Sequence, residues 1–152
     1  QNDEIIDIIK DKYNFSLQID ENYKIIKEED DFLWIGRGYP YRWLIFNKFK
    51  IDNEIDYWEF LSSNLQKNIK GLNIRNSYKK IVNYDNLMIM RGIYDYDISD
   101  TGGPFFSYVF ENNGNNEVIL ISGFVSNPGK DKWPLLNQLE TIIKKTKVDI
   151  YE

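Results

Sequence analysis

The sequence predicts an α+β fold: a mainly antiparallel sheet covered on its faces by helices, an α/β/α sandwich. Three observations carry this. Aromatic and β-branched runs are separated by turn clusters of hairpin length, and connections that short demand antiparallel pairing. Stretches of helical apolar period stand at the start, middle and end of the chain, and such stripes need a sheet to cover. Strand 42–50 is apolar on both sides: Trp43 and Ile45 point one way with Asn47, while Leu44 and Phe46 point the other with Arg42 and Lys48.

Residues 2–13 read as a helix that Asn2 or Asp3 can cap, with Asp3 and Glu4 at its positive end and Ile5, Ile8, Ile9 and Lys12 at helical spacing. Phe15, Leu17 and Ile19 alternate with polar residues, which predicts a half-buried strand over 14–19. Further strands are predicted at 23–27, 32–37 and 42–50, the last two joined through Gly38-Tyr39-Pro40. The second helix covers 54–70, capped by Asp52 or Asn53 and stopped at Gly71. Its stripe is Ile55, Trp58, Leu61, Leu65 and Ile69. Strands follow at 77–83, 86–94, 104–111 and 117–125, the last pair being a hairpin over the Asn/Gly cluster 112–116. The final helix starts after Asp131 with Pro134 near its first position, buries Leu135, Leu139, Ile142 and Ile143, and ends in Lys144, Lys145 and Lys147. The order is helix, four strands, helix, four strands, helix, a loose structural duplication with no sequence repeat.

A length of 152 residues fits a single domain over 1–152, with 42% hydrophobic residues to fill its core. The chain has no Ala, so large side chains fill that core; four Trp stand out among them. It has no His and no Cys, which removes Ser-His-Asp and Cys-His catalysis, Cys/His zinc sites, iron–sulfur clusters and disulfides from what this segment can do. The reading therefore includes no cofactor and no metal. A net charge of −5 argues against nucleic acid or an anionic membrane surface as a partner. No apolar run approaches the roughly 20 residues needed to cross a bilayer.

Arg91-Gly92, Gly102-Gly103-Pro104-Phe105, Gly123-Phe124-Val125, Pro128-Gly129-Lys130 and Gln138-Leu139-Glu140, with the earlier Phe32-Leu33-Trp34-Ile35 and its following Arg37, resemble domain-of-unknown-function family 4837, envelope lipoproteins of Bacteroidota. Thr101 departs from the family's usual Met before Gly-Gly-Pro. The family's members are longer. The resemblance implies that this chain is the C-terminal portion of a lipoprotein whose lipidated Cys lies outside it. It implies a place in the cell envelope, facing the outer membrane or periplasm, with membrane attachment only through that anchor. The arrangement of elements is also similar to the PsbP and Mog1-like sandwiches, a likeness of fold that transfers no function.

Nine residues stand as the structural motif: Arg91, Gly102, Gly103, Pro104, Phe105, Gly123, Pro128, Gly129 and Glu140. Gly102-Gly103-Pro104 could bare its amides to an anion, but a tight entry into a strand, with Gly at positive φ, is the favoured reading because no cation adjoins it in sequence. Glu140 reads as a structural hydrogen-bond partner, or as an i,i+4 partner of Lys144. Asp95 to Asp100 has the oxygen spacing that starts a calcium loop, yet Asp100 and Phe106 occupy the positions of its Gly and Glu, so a solvated acidic turn is favoured. Glu28 to Asp31 reads the same way.

Trp34, Arg37, Tyr39, Tyr41 and Arg42 form the candidate binding set, since Trp, Tyr and Arg dominate interface hot spots. Core packing is favoured for Trp34 and Trp43. Tyr39 and Tyr41 flank Pro40 in a connection and are expected to be exposed. The sequence supports first a non-enzymatic interaction domain with a protein partner in a larger envelope assembly. A glycan or small-ligand module using the same aromatics is second; an apolar, aromatic-floored concavity would favour it, and a flat or convex patch would favour a protein partner. A carboxylate-based hydrolase is third, although no carboxylate pair can be singled out. A sheet edge could pair with itself or another chain, so oligomeric state stays open.

Overall fold

The structure, a computed structural model, describes residues 1–84, 87–112, 114–126 and 129–144. Helix α1 (Asp3–Tyr13) begins where expected: the Asn2 side chain accepts from Ile5 N at 3.4 Å. It ends at Asn14 in a left-handed conformation, its amide donating back to the Lys10 carbonyl. A meander follows, β1 (Lys24–Glu29), β2 (Phe32–Arg37) and β3 (Tyr41–Lys50), then α2 (Tyr57–Asn68). The second half is β4 (Leu72–Tyr84), β5 (Leu87–Tyr96), β6 (Thr101–Asn112), β7 (Glu117–Ser126) and α3 (Trp133–Lys144). The strands form one antiparallel sheet in the order β1-β2-β3-β7-β6-β5-β4.

The alternation of side chains splits the core into two layers, as the two apolar faces of β3 require. On one side α1, α3 and residues 15–23 cover Leu33, Ile35, Leu44, Phe46, Phe106 and Ile121. On the other, Trp58, Leu61 and Leu65 of α2 lie over Ile45, Met90, Phe105 and Leu120. Each aliphatic or Phe side chain buried this way contributes about 1.5–3 kcal/mol. The second layer is only partly roofed. Twelve residues of α2 span about 18 Å, whereas seven strands measure about 29 Å across.

Several expectations are corrected. Segment 14–19 is not an eighth strand. Phe15, Leu17 and Ile19 are buried and their neighbours exposed, so the alternation is real, but the chain spends it in the core beneath α1 instead of in the sheet. Helix α2 starts later than predicted, because the cap is Asp56, whose Oδ1 accepts from Trp58 N at 3.0 Å and Glu59 N at 3.2 Å. Strand β4 starts five residues earlier than predicted, since Gly71 at φ +86° turns the chain straight into it. Its pairing with β5 is irregular between Arg75 and Lys80. Within that irregularity Asn76 accepts from the Trp58 indole N–H at 2.8 Å.

Gly102, Gly103 and Pro104 are not a turn into a strand. They lie inside β6, opposite Asp95, Tyr94 and Ile93, and neither glycine has positive φ. Space explains Gly103: a Cβ there would run into the Val125 carbonyl. Pro104 is tolerated because the ladder between β6 and β7 begins only at Phe105 opposite Phe124. The predicted last helix buries Leu139 and Ile143 as expected, with Leu136 in addition; Lys145 and Lys147 fall outside the described residues.

Candidate functional site

Tyr39, in the β2–β3 connection, and Tyr41, the first residue of β3, are 66% and 49% exposed on either side of Pro40, which follows a cis peptide bond. Their rings meet edge to face at 5.7 Å between centroids. Exposed aromatics packed on each other are of the residue type that anchors interfaces. Trp34 is elsewhere: it lies in the core, edge-on to Trp43 at 4.8 Å, its indole N–H without a partner.

The sheet divides the rest of the candidate set. Arg37 and Arg42 are opposite one another across β2 and β3, on the α1/α3 side. Arg37 donates to Asp20 at 2.5 Å and lies over the Tyr23 ring, and Arg42 donates to Gln138 at 2.9 Å. Partial burial and the neighbouring Arg37 charge both lower the Arg42 pKa. Tyr41 and Trp43 face the α2 side, as alternation predicts. Thus the five residues do not form one patch. Tyr39 and Tyr41 stay together at the surface, and the two arginines fasten the opposite layer.

Tyr41 opens onto a cavity of about 190 Å³ that α2 leaves unroofed. Its walls are the rings of Tyr41, Trp43, Tyr94, Tyr96 and Phe124. Register explains why a hollow exists. Tyr41 pairs with Ser126 and Tyr94 pairs with Gly103, so the two strands between these tyrosines offer only a hydroxymethyl group and a hydrogen. Trp43 is held by Tyr96 at 5.0 Å, edge to face, and by Phe124 at 6.0 Å. The polar groups of the lining residues are the Ser99, Thr101 and Ser126 hydroxyls, the phenols and the Trp43 indole N–H. Ser99 and Thr101 bond each other at 2.6 Å. Tyr94 gives its proton to the Val125 carbonyl at 2.9 Å, and burial above all pushes its own pKa up. The buried Ser126 hydroxyl adjoins the Tyr94 phenol and works against that rise.

The motif residues lie on the other layer or in the backbone. Arg91 reaches from β5 to Glu140 on α3, and Tyr108 of β6 donates to the same carboxylate at 2.7 Å. Burial alone would raise the Glu140 pKa, but the Arg91 and Tyr108 hydrogen bonds and the Arg91 and Lys144 charges outweigh it and hold the carboxyl low. Gly123 is opposite Phe106, whose ring fills the place a Cβ would take. Phe105 stacks on Phe124 at 5.1 Å. Gly129 has φ +71°, and Pro128 lies outside the described residues. Among the described residues no three carboxylates gather as metal ligands; Asp95 pairs with Arg75, and Asp97 accepts from Asn73.

The model of DUF4837, a domain of unknown function, matches residues 2–145. The chain belongs to the DUF4837 family. No curated protein matches it. A crystal structure of LpqN, involved in cell envelope biogenesis of Mycobacterium tuberculosis, is similar at 15% identity and a TM-score of 0.45, over 88% of this chain and 82% of that one. So distant a likeness bears no functional argument. What this DUF4837 domain offers is therefore its own geometry, and the sequence reading missed half of it. Tyr94, Tyr96, Phe124 and Ser126 join Tyr41 only through the β3–β7–β6–β5 register, which no local pattern in the sequence encodes.

Proposed function

We propose that this chain is a non-enzymatic docking domain of a cell-envelope lipoprotein, working within a larger envelope assembly, and that it docks through Tyr39, Tyr41 and the aromatic cavity beside them. The carrying observation is the pair of exposed, mutually packed tyrosines at the mouth of a half-roofed aromatic hollow. Anchoring aromatics of this kind, next to a pocket, supply most of the affinity of protein interfaces. The envelope location and the lipid anchor come from the family resemblance.

The hollow also favours the glycan or small-ligand reading. Its lining weighs against a glycan: a pyranose buries several hydroxyls, each costing about 1–3 kcal/mol if left unpaired. The hydrolase reading has less support. Glu140 is the buried carboxylate among the described residues, and it is fully engaged by Arg91 and Tyr108.

The test is capture of the full-length tagged lipoprotein from native envelope membranes, beside a Tyr39→Ala/Tyr41→Ala variant. Stoichiometric partners present with the wild type and lost with the variant are the expected result. If both forms come out alone, the docking reading fails.

A further inference from the structure

The docking reading above leaves open what chemistry the partner brings, and the charges beside Tyr39 narrow the answer. The chain has four arginines. Arg37 pairs with Asp20, Arg75 with Asp95 and Arg91 with Glu140. Among the described residues Arg42 has no carboxylate partner: its acceptors are the Pro40 carbonyl and Gln138. This happens in a chain where acidic residues outnumber basic ones 24 to 19.

The position of Arg42 makes the missing partner costly. It is directly opposite Arg37 across β2 and β3, and like charges so placed destabilise a sheet. The carboxylate whose charge acts on Arg42 is Asp20, but both its oxygens are engaged. Oδ2 accepts from Arg37, and Oδ1 accepts from Asn22 N at 2.8 Å. Tyr23, beside both arginines, stays neutral with its pKa pushed up to about 12, chiefly by burial. Two guanidiniums and one carboxylate therefore leave a single uncompensated positive charge.

Geometry presents that charge outward. Arg42 Nε donates to the Pro40 carbonyl at 3.4 Å, which fixes the guanidinium to the connection that carries Tyr39. Nη1 donates to Gln138 Oε1 at 2.9 Å, at the exposed surface. Nη2 has no partner and is not enclosed. The unpartnered Arg37 Nε, by contrast, is enclosed and out of a guest's reach. Gln138 is neutral and exposed, so an anion can take Nη1 from it and meet Nη1 and Nη2 together. That planar fork matches the two oxygens of a carboxylate.

We propose that Arg42 receives the carboxylate of an aspartate or glutamate side chain of the docking partner, beside Tyr39; the inference rests on the docking reading. One uncompensated charge calls for one monoanion, which a dianionic phosphate exceeds. A lipid surface bearing phosphates would also press on Asp20 and Glu21, both exposed in the adjoining turn, whereas a single side chain passes them. Tyr39 and Tyr41 then supply the apolar contact next to the acid.

The test titrates the whole chain with N-acetyl-glutamate α-methylamide, its neutral glutamine counterpart, inorganic phosphate and phosphatidylglycerol vesicles, following the Arg42 Nε–H and Gln138 side-chain amide resonances. The glutamate probe should bind about 3- to 10-fold more tightly than the glutamine probe, the worth of one hydrogen bond to a charged group at a solvated site. Added sodium chloride should shrink that preference. Arg42→Gln should abolish it, and Arg42→Lys, which keeps the charge without the fork, should retain part of it. Asp20→Asn should enlarge it, because Arg37 then loses its counter-charge. The proposal is overturned if the two probes bind alike, if phosphate or the vesicles bind more tightly than the glutamate probe, or if Arg42→Gln leaves the preference intact. These titrations need no partner. Membrane capture that fails while the glutamate probe binds would sink the docking reading and leave the Arg42 site standing. Capture that withstands Arg42→Gln but not Tyr39→Ala/Tyr41→Ala would keep the docking reading and overturn this one.

Discussion

Arg91 on β5 and Glu140 on α3 grip each other with two hydrogen bonds, Nη2 to Oε1 at 2.6 Å and Nη1 to Oε2 at 3.2 Å, although 49 residues separate them. The carboxylate is 3% exposed, and the Tyr108 hydroxyl completes its coordination. This pair ties the last helix to β5, the strand beside the β4 edge of the sheet. A buried charge is tolerated only with its partner, so Arg91→Met should cost about 3–5 kcal/mol in urea unfolding. The double variant Arg91→Met/Glu140→Met should recover most of that loss, because it removes both charges together. A double variant no more stable than the single one would refute the account.

The domain should lose stability at high pH. Tyr23 is pushed up to about 12, chiefly by burial, and Tyr13, Tyr94 and Tyr108 are raised for the same leading reason. A tyrosine whose folded pKa lies above its unfolded value of 10.0 binds its proton more tightly when folded. Its contribution is intact below pH 10 and is lost as pH rises from 10 through the folded value. Glu140 works in the opposite sense: held below its ordinary 4.5, it contributes above that pH and fails as acid protonates it. Urea midpoints measured across pH should form a plateau bounded on both sides. Unchanged midpoints between pH 10 and 12 would contradict the tyrosine part.

Tyr13 offers a sharper check. Its hydroxyl is buried with no hydrogen-bond partner, a state that costs about 1–3 kcal/mol. Tyr13→Phe removes the polar atom and keeps the ring that packs on Phe46 at 5.5 Å. The variant should be more stable than wild type by about 1 kcal/mol at neutral pH, and should lose less on alkalinisation.

Gly123→Ala should destabilise by about 1–3 kcal/mol, since the new methyl group meets the Phe106 ring in a closely packed layer. Pairing it with Phe106→Leu, which vacates part of that space, should yield less than the sum of the two single losses. Strict additivity would show that the contact is not the cause.

Tyr39→Ala and Tyr41→Ala are expected to change stability by less than about 0.5 kcal/mol each, because both rings are largely exposed. That neutrality makes the pair useful: loss of partner capture in a variant with an unchanged melting curve can be assigned to the surface alone.

Much of the fold was legible. The two-sided apolar pattern of β3 demands two covering layers, the Asn/Gly cluster demands the β6–β7 hairpin, and Asn2 caps the first helix. Phe15, Leu17 and Ile19 show the limit of such patterns. Alternation fixes which side chains are buried, but an extended segment reads identically whether it pairs in the sheet or lies across the core. Asp56 won the cap of α2 over Asp52 and Asn53 because the chain between them is held outside the helix, which propensity does not foresee.

The sequence by itself determined the layer architecture, the burial of Trp34 and Trp58, the exposure of Tyr39 and Tyr41, and the kinds of chemistry ruled out by lacking His and Cys. Tertiary structure decided which distant residues meet. Antiparallel register brings Tyr41 beside Ser126 and Gly103 opposite Tyr94, opening a hollow between two strands far apart in the chain, and docking of α3 gives Arg91 its carboxylate. The physical reason is one of range. Periodicity and capping act over a few residues and are written in local order, whereas register and helix docking are chosen by the packing of the whole core.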